Sequence, residues 1–497
     1  MRRAGSTSAQ PAITRRAFGA IALSSVLSME ESGVAMAKTP TSLAGRLKAE
    51  LERAVREDDF SGSVLLSRGE KVVFAGSYGL AERGFGIPNQ LDTRFNTASI
   101  PKLFTSLAVM RLVEAGKLRL DQSLNSAWPG YPNTDAGQAT ISQLLSHTAG
   151  FGNHHTWLPT YAGPPLLTNR DYFARFVDEP LVQAPGQGFS YSNNGYVVLG
   201  LLVERITGER YFDHLARTIW KPLGMVDTGP LRMDIAAPRM AHGYFRSPDL
   251  PGAWQSNLDP RTPVGAAHGG IFSTVADLDR FGAALARGDL LSPALMREWT
   301  TGRQAYHRGM YGLGCSEVVI DGKRIIGHSG GHDGVAGELM VWPQSGYRFS
   351  ILSNTEPDGY FALVSFIKQL LTGADQISRV HDYSRALAQV FLTKGAEAAR
   401  AMHAGQGPAI RPSEGLLDAQ ALREIHRGRS AAGLALLRFN VEVFAKSSWP
   451  RWSLAEALRR QGDSTGAVAA YRDYLALEPD DADAKRWLSI LAGDPRA

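Results

Sequence analysis

The sequence predicts an α+β fold, an antiparallel sheet flanked by helices, followed by an all-α domain of paired helices. In residues 41–375, hairpin-like runs of apolar residues lie near both ends and helices lie between them. That order is typical of an antiparallel sheet with helices packed on its faces. From residue 380 to 497, Ala, Leu and Arg recur at helical spacing instead. The 497 residues are also more than a single core usually organises.

The α+β domain, residues 41–375, is predicted to open on a helix and a hairpin. Apolar residues recur every four positions behind Ser42, at Leu43, Leu47, Leu51 and Val55, which indicates a capped amphipathic helix. Strands are predicted at 63–66 and 71–74, around a turn at 67–70. Further strands are predicted at 324–327, 338–342 and 347–352. We expect the first and last strands to meet in one sheet.

Residues 1–37 have the pattern of an export signal. Arg15 and Arg16 precede a short apolar run, and small residues at 35–37 offer a cleavage site. The paired arginines resemble a twin-arginine signal peptide, which predicts a periplasmic or secreted protein. A disordered basic tail on a cytoplasmic protein is the alternative. No apolar run is long enough to predict a membrane span.

The last part of the chain, 380–497, shows a recurring pattern of about 34 residues. Gly462, Ala467, Tyr471 and Pro479 match turn and packing positions of a tetratricopeptide-like repeat, and degenerate copies precede them. Stacked helix pairs of this kind often bind a protein partner. Two alternatives remain: a generic helical hairpin domain, or repeats that pack on the α+β domain.

Composition excludes several classes of function. The net charge is +5, with basic and acidic residues interspersed, so no nucleic-acid-binding stripe is predicted. Cys315 is the single cysteine, which excludes an internal disulfide, and no Cys/His spacing indicates a zinc site. We expect Cys315 to be a buried small hydrophobe. No metal and no cofactor are predicted.

The first chemical motif is Ser99-Ile100-Pro101-Lys102, which opens an apolar helix. Positions i and i+3 share a helix face, so Ser99 and Lys102 can share one site. A serine hydroxyl needs a neighbouring base, and a desolvated lysine can serve as one. A second Ser-x-x-Lys, Ser365 to Lys368, lies within an apolar helical run, and we interpret it as ordinary helix surface.

The second motif, Tyr191-Ser192-Asn193, follows a Pro/Gly loop and leads into another helix. A phenol near a lysine can relay protons, and an amide can orient both the lysine and the substrate. Tyr191 and Asn193 are therefore candidates for catalysis and substrate binding. Tyr131-Pro132-Asn133 has the same pattern, but it lies in a turn where a structural role is expected.

The third motif is His328-Ser329-Gly330-Gly331, which joins a predicted strand to a glycine-rich turn. Glycines at a strand edge let a substrate lie against the backbone, and the amides there can complete an oxyanion hole. The four residues His328, Ser329, Gly330 and Gly331 are predicted to bind substrate. For any one histidine of such a triplet, a purely structural role is the alternative.

The three motifs in this order resemble the serine β-lactamase and penicillin-binding-protein superfamily, and most closely its class C β-lactamase and family VIII esterase branch. Residues 144–151 and 269–278 also resemble segments of that branch. The resemblance implies that Ser99 is acylated and that Lys102 and Tyr191 act as the general-base pair. It implies that Asn193 orients Lys102 and the substrate. It also implies that the backbone N–H groups of Ser99 and Gly331 bind the oxyanion.

The leading hypothesis is a serine hydrolase that cleaves an ester or amide of a small molecule or short peptide. One alternative is a β-lactamase, a D-alanyl-D-alanine carboxypeptidase or a D-aminopeptidase of cell-wall metabolism. His328 stands where penicillin-recognising relatives usually have Lys, and a mostly neutral imidazole attracts a carboxylate less, which favours an esterase or peptidase. A third hypothesis is an exported interaction protein that uses its repeats and keeps an inactive hydrolase scaffold.

Overall fold

The computed structural model describes residues 42–493, except 58–59, 155–156, 248–249, 251, 307–308, 356–358, 374–376, 407–409 and 480. The described residues belong to one compact unit. The predicted signal segment, residues 1–37, lies outside the described residues. Within the described part, no helix is both long and apolar enough to cross a membrane.

The strands within the described residues form one large sheet and three short ladders. They are β1 (Gly62–Arg68), β2 (Lys71–Tyr78), β3 (Leu80–Glu82), β4 (Ile87–Pro88), β5 (Phe95–Asn96), β6 (Tyr244–Arg246), β7 (Trp254–Ser256), β8 (Phe272–Ser273), β9 (Gln304–Tyr306), β10 (Gly309–Tyr311), β11 (Ser316–Ile320), β12 (Lys323–His332), β13 (Val335–Trp342) and β14 (Tyr347–Ser353). The large sheet is antiparallel, in the order β2-β1-β14-β13-β12-β11-β10-β9. Gly62 lies opposite Ser353, so the prediction that the first and last strands meet is confirmed.

Helices cover both faces of the sheet and continue beyond it. They are α1 (Leu43–Arg56), α2 (Lys102–Glu114), α3 (Leu124–Ala127), α4 (Ile141–Leu145), α5 (Asn169–Phe176), α6 (Asn193–Thr207), α7 (Tyr211–Leu215), α8 (Val275–Arg287), α9 (Pro293–Thr300), α10 (Tyr360–Thr372), α11 (Ile377–Lys394), α12 (Ala396–Gly405), α13 (Glu414–His426), α14 (Ser430–Val443), α15 (Trp449–Arg460), α16 (Ser464–Leu475) and α17 (Ala482–Leu491). The expected α+β architecture is confirmed.

Strand β13 shows how the two faces are used. Successive side chains of a strand point to opposite faces. Leu339 and Val341 join the core that includes residues of α2 and α8, whereas Met340 and Trp342 join the core beneath α1 and α10. All eight β13 residues are buried. The sheet therefore separates the α2 side, where the catalytic motifs lie, from a rear side covered by the first and last helices of the α+β domain.

The predicted first helix is confirmed as α1, and its cap is Ser42, whose Oγ accepts a hydrogen bond from Gly45 N at 3.1 Å. Two sequence interpretations need correction. Strand β12 continues to His332, so Ser329 to Gly331 lie within a strand, and the chain turns at Gly334, whose φ is 72°. Lys368 is not on an open helix surface, because its Nζ lies 2.5 Å from Glu338 Oε1 between α10 and β13.

The C-terminal region consists of three helix pairs, α11/α12, α13/α14 and α15/α16, followed by α17. The second helices of the pairs begin 34 residues apart, at positions 396, 430 and 464. Small buried residues recur at the same spacing, Ala399, Gly433 and Ala467. The recurrence of helix pairs is thus present in the structure, whereas the tetratricopeptide assignment stays a prediction.

Candidate active site

The nucleophile candidate, Ser99, follows a strained turn. Ala98 has φ 43°, a left-handed conformation that costs energy for a residue with a side chain. Neighbouring hydrogen bonds hold it there: Gly270 N donates to Ala98 O at 2.8 Å, and Thr97 Oγ1 donates to Ile271 O at 2.7 Å. A Cβ on Gly269 would stand 2.1 Å from Ala98 O, so only glycine fits beside the turn. Residues 269–271 therefore support the nucleophile's backbone.

Lys102 is the first residue of α2, and its backbone N donates to Ser99 O at 3.0 Å. This turn brings the amine to the hydroxyl. Lys102 Nζ lies 3.0 Å from Ser99 Oγ, 2.7 Å from Asn193 Oδ1 and 2.6 Å from His268 O. The side chain is 0% exposed, and this burial lowers the pKa of Lys102 well below its usual value. Burial therefore makes the amine a weaker base than an exposed lysine and favours its deprotonation.

The partners of Lys102 determine where a neutral amine points its lone pair. Asn193 Oδ1 and His268 O can only accept hydrogen bonds, so they take the two N–H groups. In the neutral form the lone pair then remains for the hydroxyl proton of Ser99, whereas an ammonium donates to Ser99 Oγ at 3.0 Å. Asn193 is held in this orientation because its Nδ2 donates to Asn153 Oδ1 at 3.0 Å. The arrangement can remove the Ser99 proton.

Tyr191 is brought to the same hydroxyl. Its phenol interacts with the Ser99 side chain, and its ring centroid lies 4.9 Å from Lys102 Nζ. The ring packs against His147 at 4.2 Å and stacks on Tyr306 at 6.0 Å. Burial raises the pKa of Tyr191 well above its usual value. The phenol is therefore protonated at neutral pH and can donate its proton.

His147 contributes to the site in a way that the sequence did not reveal. Its φ is 58°, and its Nδ1 accepts a hydrogen bond from Ser192 N at 3.1 Å, next to the Tyr191-Ser192-Asn193 motif. Burial lowers the pKa of His147 well below its usual value. A neutral imidazole thus supports the Tyr191 ring. His147 lies in the segment 144–151 that resembles the β-lactamase branch, and its contact with Tyr191 gives it a structural role there.

The third motif reaches the nucleophile through its backbone. A Cβ on Gly330 would lie 2.4 Å from Thr97 O and 2.7 Å from Ser99 N, so strand β12 passes directly against the nucleophile's turn. Ser329 and Gly331 are exposed. This stretch of β12 therefore offers an open strand surface next to Ser99.

The His328 side chain is enclosed by the domain. It is 3% exposed, its Nε2 lies 2.9 Å from Tyr311 Oη, and its Nδ1 bonds to Ser329 O. Burial lowers the pKa of His328 to about 3, so the imidazole is neutral. Both ring nitrogens are engaged inside the domain, and the substrate-binding role of His328 stays a prediction. Tyr311, its partner, lies in β10 outside any motif, so a single sequence held no signal for it.

No metal site competes with this arrangement within the described residues, where no group of three or more His, Cys, Asp or Glu side chains could hold an ion. Cys315 is buried, as expected, and burial raises the pKa of its thiol to about 12. The thiol is therefore unreactive at neutral pH.

Known proteins share this sequence pattern. The family model described as Beta-lactamase matches residues 50–370. Penicillin-binding protein 4 of Amycolatopsis lactamdurans is 31% identical over 301 residues, which cover 56% of this chain and 76% of that protein. Esterase EstB of Burkholderia gladioli is 36% identical over 206 residues, which cover 38% of this chain and 52% of that protein.

Solved structures agree with the sequence comparison. The penicillin binding protein from Bacillus halodurans aligns with a TM-score of 0.59 at 29% identity, covering 65% of this chain and 98% of that chain. The D-stereospecific amidohydrolase from Streptomyces sp. aligns with a TM-score of 0.53 at 25% identity, covering 63% of this chain and 94% of that chain. The chain belongs to the beta-lactamase family and is a serine hydrolase of the β-lactamase and penicillin-binding-protein superfamily.

Proposed function

We propose that the protein hydrolyses an ester or amide of a small molecule or short peptide through an acyl-enzyme on Ser99. The contact that carries the proposal is the 3.0 Å approach of Lys102 Nζ to Ser99 Oγ, with both amine N–H groups engaged elsewhere. A buried, neutral amine in this position is a competent general base.

In the first half of the reaction, Lys102 takes the Ser99 proton as Oγ attacks the substrate carbonyl carbon. The new C–O bond pushes the carbonyl electrons onto oxygen, and the N–H groups of Ser99 and Gly331 stabilise that oxyanion. The closeness of Gly330 to Ser99 N supports this pairing of amides. Lys102 is then an ammonium, and its proton is available to the leaving group.

Acylation is completed when the tetrahedral intermediate collapses. Tyr191 then donates its proton to the leaving oxygen or nitrogen, and the Lys102 ammonium reprotonates the phenol. The raised pKa of Tyr191 and the lowered pKa of Lys102 support this order of roles, with lysine as the first base. Water then attacks the acyl-enzyme by the same route in reverse, which releases the acid and regenerates Ser99.

The enclosed His328 side chain supports a substrate that has no free carboxylate near His328. A neutral imidazole bonded to Tyr311 adds no positive charge for a carboxylate to meet. Similarity to esterase EstB agrees with an ester as the preferred substrate.

Active-site labelling tests the proposal. The purified protein is treated with a fluorophosphonate probe, and the adduct is mapped by mass spectrometry, with Ser99→Ala as the matched control. We expect a label on Ser99 in the parent protein and none at that position in the variant. An unlabelled Ser99, or a variant that turns over a nitrophenyl ester as fast as the parent, would end the proposal.

A second candidate function is β-lactam or D-alanyl peptide processing. The penicillin-binding proteins and the D-stereospecific amidohydrolase among the similar proteins favour it. Turnover of nitrocefin and of short-chain nitrophenyl esters is compared on one preparation. We expect the ester to have the higher kcat/KM, and a many-fold preference for nitrocefin would reverse the order of the two candidates.

We further propose that residues 1–37 direct export, which would make the mature protein periplasmic or secreted. Fractionation of cells that carry the parent sequence or Arg15→Lys together with Arg16→Lys tests this. We expect the variant to be retained in the cytoplasm, because the twin-arginine receptor reads the paired arginines. Equal export of both would exclude a twin-arginine signal.

A further inference from the structure

The first helices of the three C-terminal pairs face the α+β domain. Helix α10 contacts α11 and α13, and ion pairs join Glu50 of α1 to α11 and Glu57, the residue after α1, to α13. The second helices, α12, α14 and α16, pack against the first helices. We define the docking face as the surface of α11, α13 and α15 that carries His381, Arg385, Arg423 and Trp449.

Charge pairing joins the docking face to α1. Arg385 Nη2 lies 2.7 Å from Glu50 Oε1, and Arg423 Nη1 lies 2.6 Å from Glu57 Oε2. Glu50 is 5% exposed, so burial acts to raise its pKa, but His381 and Arg385 hold the pKa at about 2. The carboxylate is therefore charged at every physiological pH. A buried Glu50 carboxylate without its partners would be costly, so α1 and α11 stabilise each other.

Apolar contacts join the docking face to α10. The rings of Phe366 and His381 meet edge to face at 4.9 Å, and those of Phe361 and Trp449 at 5.8 Å. A Cβ on Gly415 would lie 3.9 Å from the Ala362 Cβ, in ordinary contact. The contact thus extends along the row of first helices, from α11 through α13 to α15.

A row of first helices in a stacked-pair array is the kind of surface that such proteins offer to partners. We propose that the docking face is an intramolecular clamp whose partner is the α1–α10 pair of the chain's own hydrolase domain. The repeats then serve to hold the hydrolase together and are not an open receptor for a peptide.

The position of α1 and α10 explains what the clamp would do. Helix α1 precedes β1 and α10 follows β14, so the two helices come from opposite ends of the hydrolase sequence and cover the rear side of its sheet. The docking face contacts both helices. It therefore fixes the two chain ends against the central strands, where either end alone could fray.

Cleavage of the connection between Gly373 and Ile377 in the full chain tests the clamp. A specific protease site is introduced there, the folded protein is cut, and the products are run by size-exclusion chromatography at low salt. We expect both fragments to elute as one particle that keeps its unfolding midpoint. Spontaneous separation of the fragments would overturn the proposal. The readout does not depend on hydrolysis, so it is independent of the proposed function.

Charge reversal in the cut protein identifies the contact. Glu57 is part-exposed, so Glu57→Arg is expected to fold, and it should weaken association of the fragments about tenfold or more through repulsion of Arg423. The double swap, Glu57→Arg with Arg423→Glu, should restore co-elution. The control is Arg400→Glu, which breaks the exposed pair with Glu442 within the repeats and should leave association unchanged. Equal effects of Glu57→Arg and the control would refute the clamp.

Discussion

Replacing Asn193 by aspartate is expected to inactivate the Lys102 base at neutral pH with little change in shape. The amide oxygen that accepts from Lys102 Nζ at 2.7 Å becomes half of a carboxylate. At this distance, and with an effective dielectric constant of about 20, opposite unit charges attract by about 6 kcal/mol. Burial of the new charge cancels a large part of this, so we take about 3 kcal/mol as the net stabilisation of the ammonium.

The direction of the effect follows from the form of Lys102 that acts. In the parent protein burial lowers the pKa of Lys102, so activity is lost only as the pH falls through that lowered value and the amine becomes protonated. A net 3 kcal/mol in favour of the ammonium moves the acid limb of the profile upward by about two pH units. At pH values well below the shifted limb, kcat/KM falls by up to about a hundredfold, and it recovers as the pH rises through that limb.

The assay is kcat/KM for a nitrophenyl ester across the pH range over which the protein stays folded, with Asn193→Ala as the control. The alanine variant removes the amide without adding charge, so its acid limb should not move upward. An aspartate variant with an unmoved acid limb would refute the reasoning. A uniform loss at every pH would refute it as well, because it would indicate misplacement of Lys102 and not protonation.

Three further predictions concern proton donation, the buried histidine and the repeats. Tyr191→Phe should lower kcat for an alkyl ester by about 10²–10⁴ but much less for a nitrophenyl ester, whose leaving group needs no proton; equal losses on both would contradict a donor role. Tyr311→Phe removes the hydroxyl that lies 2.9 Å from the buried Nε2 of His328, so the free energy of unfolding in urea should fall by about 1–3 kcal/mol. An unchanged free energy of unfolding would contradict this. A Cβ added at Gly433 would lie 2.5 Å from Ala421 O, so Gly433→Val should destabilise the repeats by about 1–3 kcal/mol in thermal unfolding. The control is Gly405→Ala, whose new Cβ has no atom within 4 Å and which should change stability by no more than about 1 kcal/mol. Similar effects of the two variants would contradict the packing account.

The local features of the fold and site were accessible from the sequence. The four-residue period behind Ser42 predicted α1, and apolar runs around a turn predicted the β1–β2 hairpin. Ser99 and Lys102 are three residues apart on one turn, so their meeting is a local event. The sequence also placed Tyr191 and Asn193 with them, but only through resemblance to a family, because no local rule links residues ninety positions apart.

Features that depend on long-range packing were not accessible. Whether His328 points to solvent or inward depends on Tyr311, which comes from a neighbouring part of the sheet and carries no motif. The support that His147 gives to the Tyr191 ring arises from a loop whose backbone conformation one sequence does not specify. Glycine spacing suggested a strand end at residue 327, but pairing with β13 carries β12 on to His332, since each added ladder pair outweighs the weak strand propensity of glycine.

The order of strands in the sheet affects when the protein becomes able to act. Ser99 and Lys102 are made early during synthesis, but the strand against the nucleophile, β12, and the strand that pairs with β1, β14, are made only after residue 323. Until β14 inserts beside β1, the centre of the sheet cannot form, and such distant pairings form slowly. A growing chain therefore carries Ser99 for most of its synthesis without the strand that packs against it. The residues around Ser99 therefore come together only when the domain is nearly complete.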